Sequence, residues 1–336
     1  MRLRPPSFWA YGRGGLATHL LAPVAALVAR AARRRAARKG WRAPVPVLCI
    51  GNATLGGAGK TTLALDLGAR LRAGGIGVHF LTRGYGGRVR GVRRVAPWDD
   101  AAAVGDEPKL LASVAPTWVG ADRAASARAA IAAGAELLLM DDGLQNPGLE
   151  KTLSLLVIDG ASGFGNGHVV PAGPLRERIA DAAARVAAAV LIGDDATGAL
   201  ARLPPALPVL RARLAPGPGA RALAGVRVHA IAGIARPEKF HATLAAAGAI
   251  LVGHSDFPDH HRFAAAELER ALAQAARNGA RPVTTPKDAT RLPPAFQKAI
   301  AIADVDLLWD EPDAIAALLG GLAAKGGSKG KPRGKR

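Results

Sequence analysis

The stretch Thr54-Leu55-Gly56-Gly57-Ala58-Gly59-Lys60-Thr61 constrains this chain more than any other. It stands between a short apolar run, Val45–Ile50, and a segment with helical spacing, Thr62–Arg72. A strand, a glycine-rich turn and a helix beginning at Lys-Thr are the parts of a phosphate-binding loop. The glycines let backbone N–H groups point inward around phosphate, and the helix N-terminus adds partial positive charge. Lys60 reaches the outer phosphates, and the Thr61 hydroxyl is placed for Mg²⁺. The first position is Thr54 where the general pattern has glycine. Residues Thr54, Leu55, Gly56, Gly57, Ala58, Gly59, Lys60 and Thr61 are therefore the nucleotide-binding candidates.

The surrounding texture supplies a fold. Val78–Thr82, Leu137–Met140 and Leu155–Ile158 are further apolar runs separated by alanine-rich helical segments. Such alternation implies a parallel sheet with helices on both faces. Pro and Gly concentrate around Pro204–Pro208 and Pro216–Gly219, and a second α/β segment follows from Val226 to about Leu319. The expected organisation is an N-terminal amphipathic, membrane-associated segment (1–42), a P-loop core (43–203), a linker (204–220), a smaller C-terminal α/β domain (221–320) and a basic disordered tail (321–336).

A P-loop needs an acid at a strand end to hold Mg²⁺. Leu137-Leu138-Leu139-Met140-Asp141-Asp142 has that form. Neighbouring side chains on a straight strand point oppositely, so one of the two faces the metal. Asp141 is expected nearer to it and Asp142 at the turn, with Asp159 as the weaker alternative. No second lysine stands at Leu55, as a ParA/MinD-type loop would have, and no guanine-reading Asn-Lys-x-Asp is present. Adenine is thus the expected base.

Charge separates the remaining function classes. The 336-residue chain carries a formal +19, but ten Lys and Arg lie in residues 1–45 and six in the last twelve, with no acid in either stretch. The body keeps only +3. A duplex binder carries its basic footprint on the folded body, so nucleic acid is not the expected partner. Residues Gly14–Ala29 are uncharged, and Leu20, Val24, Leu27, Val28 and Ala31 fall on one helical face ahead of an arginine cluster. Sixteen residues reach about 24 Å, short of the roughly 30 Å hydrocarbon core, so the expected pose lies in the interface of an anionic membrane surface. The single cysteine, Cys49, excludes a disulfide scaffold.

Other clusters lie where open α/β sheets bind ligands: Thr82–Gly87, Gly105–Pro108, Pro171–Glu177 and Phe257–His261. With Phe8-Trp9, Gly51-Asn52, Asp141–Gln145, Gly163–Gly167, Ala232–Pro237 and Thr284–Asp288, they closely resemble the tetraacyldisaccharide 4′-kinase family, the lipid A 4′-kinases of Gram-negative bacteria. The resemblance runs from Pro6 to Leu319. It implies a monotopic enzyme on the cytoplasmic face of the inner membrane. ATP would donate its γ-phosphate to the 4′-hydroxyl of a tetraacyldisaccharide 1-phosphate lipid, without an obligate protein partner. It implies Asp106 and His260 as the catalytic pair, and Thr61, Asp141, Asp142 and Glu177 around Mg²⁺. It further implies Arg83, Tyr85, Arg123 and Arg176 as polar residues of the cleft. Asn146 departs from the family, where His often follows Gln. Two rival classes make different demands. A P-loop switch or maturation ATPase calls for a second nucleotide-sensing loop and no apolar N-terminal helix, and a nucleic-acid ATPase calls for basic residues on the core.

Overall fold

The computed structural model describes residues 6–327. Two parallel sheets organise it. The chain lays down β1 (Val47–Gly51), β2 (Val78–Thr82), β3 (Arg93–Arg94), β4 (Thr117–Val119), β5 (Leu137–Asp141), β6 (Leu153–Asp159), β7 (Ala188–Ile192) and β8 (Val209–Pro216). It then builds β9 (Arg227–Ala232), β10 (Ile250–Asp256), β11 (Arg281–Thr284) and β12 (Ala301–Ile302), and ends with β13 (Val305–Trp309). The large sheet has the order β13-β8-β7-β6-β1-β5-β2-β4-β3 and the small one β10-β9-β11-β12. Among the described residues, only the two edge strands of the large sheet, β3 and β13, pair antiparallel.

Strand alternation divides the large-lobe core. Val47 and Cys49 of β1 face a cluster with Met140, Leu156 and the N-terminal helix. Leu48 and Ile50 face Leu63 and Leu67 of the P-loop helix Lys60–Ala73. All five residues of β1 are buried, as a central parallel strand covered on both faces requires. At Gly68 of that helix an added Cβ would lie 2.3 Å from the Phe80 ring, so only glycine lets helix and sheet approach this closely.

The chain does not divide where composition suggests. The 204–220 segment read as a linker contains β8, paired to β7 on one side and β13 on the other. The second α/β segment does not end as a separate unit either. β13 returns to the large sheet, and the helix Pro312–Gly327 packs Ile315, Leu319 and Leu322 beside the P-loop helix. The small lobe is thus an insertion between two strands of the large sheet. Proline and glycine density marked turns here, and strand pairing across ninety residues overrode it. The same helix occupies residues 321–327, the start of the expected tail; 328–336 lie outside the described residues.

The N-terminal helix runs Leu16–Ala36, longer than the uncharged stretch, and is long and apolar enough to cross a membrane by length and composition. One face is committed to the protein: Thr18, Ala25 and Ala29 are buried, with Leu21 and Val28 packed on the core. Val28 therefore belongs to the inner face and not to the outer stripe. Leu16, Leu20, Val24 and Leu27 are exposed, three of them by about 70%. Asn166 ties the approach to this helix, donating to the carbonyls of Phe8 (2.8 Å) and Ala172 (2.9 Å). The Phe8-Trp9 and Gly163–Gly167 motifs are therefore architectural.

Candidate active site

In the large sheet the loops after β1, β2, β5 and β6 leave at one edge, around the point where chain order reverses, which is where open α/β sheets bind ligands. The loop after β1 is held from outside. Leu55 N–H donates to the Pro174 carbonyl and Arg176 N–H to that of Ala53, both at 2.7 Å. Gly59 adopts φ +85° directly before the helix, and a Cβ there would meet Ile192 at 2.8 Å. Lys60 is nine-tenths buried, with Nζ donating to Asn52 Oδ1 at 3.0 Å and standing 3.7 Å from Asp142.

The two adjacent aspartates take different work. Asp141 ends β5 beside Ile50 of β1, and its Oδ2 accepts from the Thr61 hydroxyl at 3.3 Å. Its Oδ1 is buried with no hydrogen-bond partner among the described residues. Burial pushes this carboxyl up to about 7, and Glu107 and Asp142 add to the rise. An orphaned, water-excluded carboxylate oxygen beside a threonine hydroxyl suits a divalent cation, which would favour the charged form. Asp142 takes φ +52°, and its carboxylate faces Arg176 (2.8 Å) and Lys60. Burial raises its affinity for a proton, but those cations outweigh burial and keep it below the usual carboxylate range.

Glu177 does not join them. Its Oε1 accepts from Gln145 Nε2 at 2.9 Å and its Oε2 pairs with Arg185, so both oxygens are taken. Gln145 also donates to the Asn52 carbonyl at 2.9 Å, which links Glu177 to the residue that holds Lys60. Arg123, a polar position of the cleft by resemblance, is enclosed in this structure. It is 97% buried at the start of the helix Arg123–Ala132, bonded to the Gly120 carbonyl, and its Nε lacks a hydrogen-bond partner among the described residues. Burial pulls it down to about 10, against the nearby negative charge of Asp142 and Asp141. Arg83 and Tyr85 are exposed, and Tyr85 lines the cleft. Asp159, the alternative metal acid, accepts from Arg236 at 2.7 Å and pairs with Lys239 at 3.3 Å.

The small lobe supplies the opposite wall through the loops after β9, β10 and β11. Arg236 follows β9 and also donates to the Gly57 carbonyl of the P-loop at 3.2 Å. His260 follows β10 with φ +61°; its N–H donates to the Gly233 carbonyl, and Nδ1 lies 2.8 Å from Asp106 Oδ2. Lys287 follows β11 with Nζ 3.3 Å from His260 Nε2 and 3.3 Å from Asp259. Arg291 brings Nε to 3.5 Å from Asp106 while its other end pairs with Asp288, whose Oδ2 accepts from Gly233 N–H. Among the described residues Asp142 and His260 are the two non-glycine positions with positive φ, and both belong to this cleft. The walls enclose about 1400 Å³, lined by Gly56, Gly57, Tyr85, Asp106, His260 and Arg291 among others.

Sequence reading assigned no role to Asn52, Gln145, Arg236, Lys239, Lys287 or Arg291. The signal for Asn52, Gln145, Arg236 and Lys287 was their place in the Gly51-Asn52, Asp141–Gln145, Ala232–Pro237 and Thr284–Asp288 motifs; Lys239 and Arg291 lie outside every motif.

Comparison with known proteins decides the family. A sequence model of tetraacyldisaccharide-1-P 4′-kinases matches residues 17–323. The chain belongs to the tetraacyldisaccharide-1-P 4′-kinase family. It is 59% identical to the tetraacyldisaccharide 4′-kinase of Gluconacetobacter diazotrophicus over 94% of this chain and 97% of that one. Against the enzyme of the same name from Rhodospirillum centenum it is 52% identical, over 95% and 97%. A crystal structure of the family member LpxK from Aquifex aeolicus, in complex with ATP, shares the fold at a TM-score of 0.72. It is 21% identical and covers 91% of this chain and 99% of that one.

Proposed function

We infer that the cleft transfers the γ-phosphoryl group of ATP to the 4′-hydroxyl of a tetraacyldisaccharide 1-phosphate in lipid A biosynthesis. The observation that carries this is the meeting of a P-loop with an Asp-His pair built from both lobes. Phosphoryl transfer through a loose transition state depends on positioning and charge stabilisation, with a modest base near the acceptor. Lys60 and the loop amides hold the phosphates. Arg176, presented beside Asp142, stands ready for the same negative charge. Asp106 accepts the acceptor proton, and His260 holds its carboxylate in place.

Thr61 and Asp141 would hold Mg²⁺, which would supply charge neutralisation to the phosphates; Asp142 stays with Arg176 and Lys60. Tyr85 and the exposed Trp98 border the cleft, where sugar and acyl surface would pass. Incubation with ³²P-labelled ATP and a disaccharide 1-phosphate, followed by lipid chromatography, tests the reading. A labelled bisphosphate is the expected product, and hydrolysis of ATP without lipid labelling would reject it.

An acceptor with four acyl chains requires work at a bilayer. The exposed stripe Leu16-Leu20-Val24-Leu27, followed by Arg30, Arg33, Arg34 and Arg35, suits a helix lying in the cytoplasmic leaflet of the inner membrane. Arg33 also pairs with Asp181 at 2.9 Å, which ties the basic end to the catalytic lobe. Fully burying each Leu or Val contributes roughly 1.5–3 kcal/mol. Changing all four stripe residues to serine should therefore weaken co-sedimentation with phosphatidylglycerol-containing vesicles by at least about 100-fold. Unchanged partitioning would show that another surface docks the protein.

A further inference from the structure

The small lobe holds a cluster of chemistry-bearing side chains that phosphoryl transfer leaves unused. His254 and Asp256 are two residues apart in β10, the edge strand of the small sheet, so the pleat puts both on one face. The helix Pro237–Ala246 packs on that strand and carries His241. His241 Nε2 lies 3.3 Å from Asp256 Oδ1, and His254 Nδ1 lies 2.9 Å from Asp256 Oδ2. One donor atom from each residue falls within 4.8 Å of the other two. Ligands about 2.0–2.2 Å from a tetrahedral zinc ion are themselves about 3.3 Å apart, so the donors need only small rotamer adjustments.

We propose that His241, His254 and Asp256 form a three-ligand site for a divalent transition cation of the zinc class, with the remaining coordination position open to water. Two imidazoles and one carboxylate suit zinc, cobalt or nickel, whereas magnesium prefers all-oxygen surroundings. This separates the cluster from the Thr61–Asp141 position. His241 Nε2 is buried and in ion-pair range of Asp256, yet makes no hydrogen bond among the described residues, so with the ring proton on Nδ1 its lone pair is unspent. His254 is half-exposed and leaves one side of the site open. The third nearby imidazole, His229, uses Nε2 on the Ser255 hydroxyl at 2.9 Å, and its Nδ1 is buried without a hydrogen bond among the described residues.

The position gives the site a consequence. Arg236, which touches Gly57 and Asp159, directly precedes the helix that carries His241. Asp256 ends β10 and leads straight into the turn that presents His260. A bound cation clips together the two segments that deliver Arg236 and His260 to the cleft.

The test is a titration of untagged full-length protein with Co²⁺ in excess Mg²⁺, followed by visible d–d absorption and displacement with Zn²⁺. One equivalent with the absorption of a low-coordinate nitrogen/oxygen site is expected, together with a Zn²⁺-dependent rise in Tm. Loss of even an outer-shell partner costs about 10–100-fold in metal affinity, so His254→Ala and Asp256→Asn should each weaken binding at least about 100-fold. His254 is exposed enough that its variant keeps the fold, and Asp256→Asn keeps the shape. No stoichiometric uptake by the wild type, or uptake retained in both variants, overturns the proposal.

Discussion

Lys60→Ala should reduce kcat/KM for ATP-dependent lipid phosphorylation by at least about 10²–10³-fold, the usual loss when one preorganised charge is removed from a phosphoryl-transfer site. The ammonium is nine-tenths buried and fixed by Asn52 Oδ1, the Gly56 carbonyl and Asp142, so it meets the phosphates without reorganising. Its removal leaves Asp142 with Arg176 and Asn52 still bonded to the Thr54 hydroxyl, so the fold should survive. Far-UV circular dichroism and a melting curve check that. Lys60→Arg should rescue little, because a planar guanidinium cannot occupy a pocket shaped around a single nitrogen. Turnover within about threefold of wild type in a folded Lys60→Ala protein would mean that the loop does not grip the nucleotide as described.

What could be read from the residues follows how local the physics is. The strand, loop and helix around Lys60 lie within thirty consecutive residues, and glycine and apolar spacing determine them. Asp141 was placed by the same logic, since a strand-end carboxylate is a feature of one strand. The division of the chain was not local. β8 and β13 pair across nearly ninety residues, and a Pro/Gly-rich neighbourhood hid an eight-residue strand. Glu177 and Arg123 show a second limit. Glu177 lies in a motif that resembles the family's and Arg123 matches a polar position of its cleft, yet in this structure Arg185 and Gln145 bond both oxygens of the first, and burial over Gly120 takes the second out of solvent. Saturation by a third residue leaves no trace in spacing. The same holds for Arg236, which bridges the P-loop and Asp159 from the other lobe.

Asp106→Asn should lower kcat by about 10²–10⁴-fold, the range for removal of a positioned general base, while nucleotide affinity stays near wild type. Asp106 is buried at the first turn of the helix Asp106–Ala112, and among the described residues its side chain bonds His260 and Arg291 rather than the P-loop. Its environment also sets a pH test. Burial pushes this carboxyl up, but the hydrogen bond from His260 and the charges of Arg291 and Lys287 outweigh burial and hold it below the usual carboxylate range. A base kept so acidic is a weak one. It suits a loose transition state, in which the hydroxyl proton leaves late and position matters more than basicity. In the wild type Asp106 is therefore ionised throughout the neutral range, and its acid limb in kcat/KM falls below the ordinary carboxylate region. His260→Ala removes the largest of the lowering influences, so Asp106 takes up its proton at higher pH and the acid limb must move upward. kcat/KM profiles of wild type and His260→Ala decide it. A limb that stays put, or moves down, would mean that His260 does not act through Asp106. A fall in nucleotide affinity equal to the fall in kcat for Asp106→Asn would make Asp106 a binding residue instead of the base.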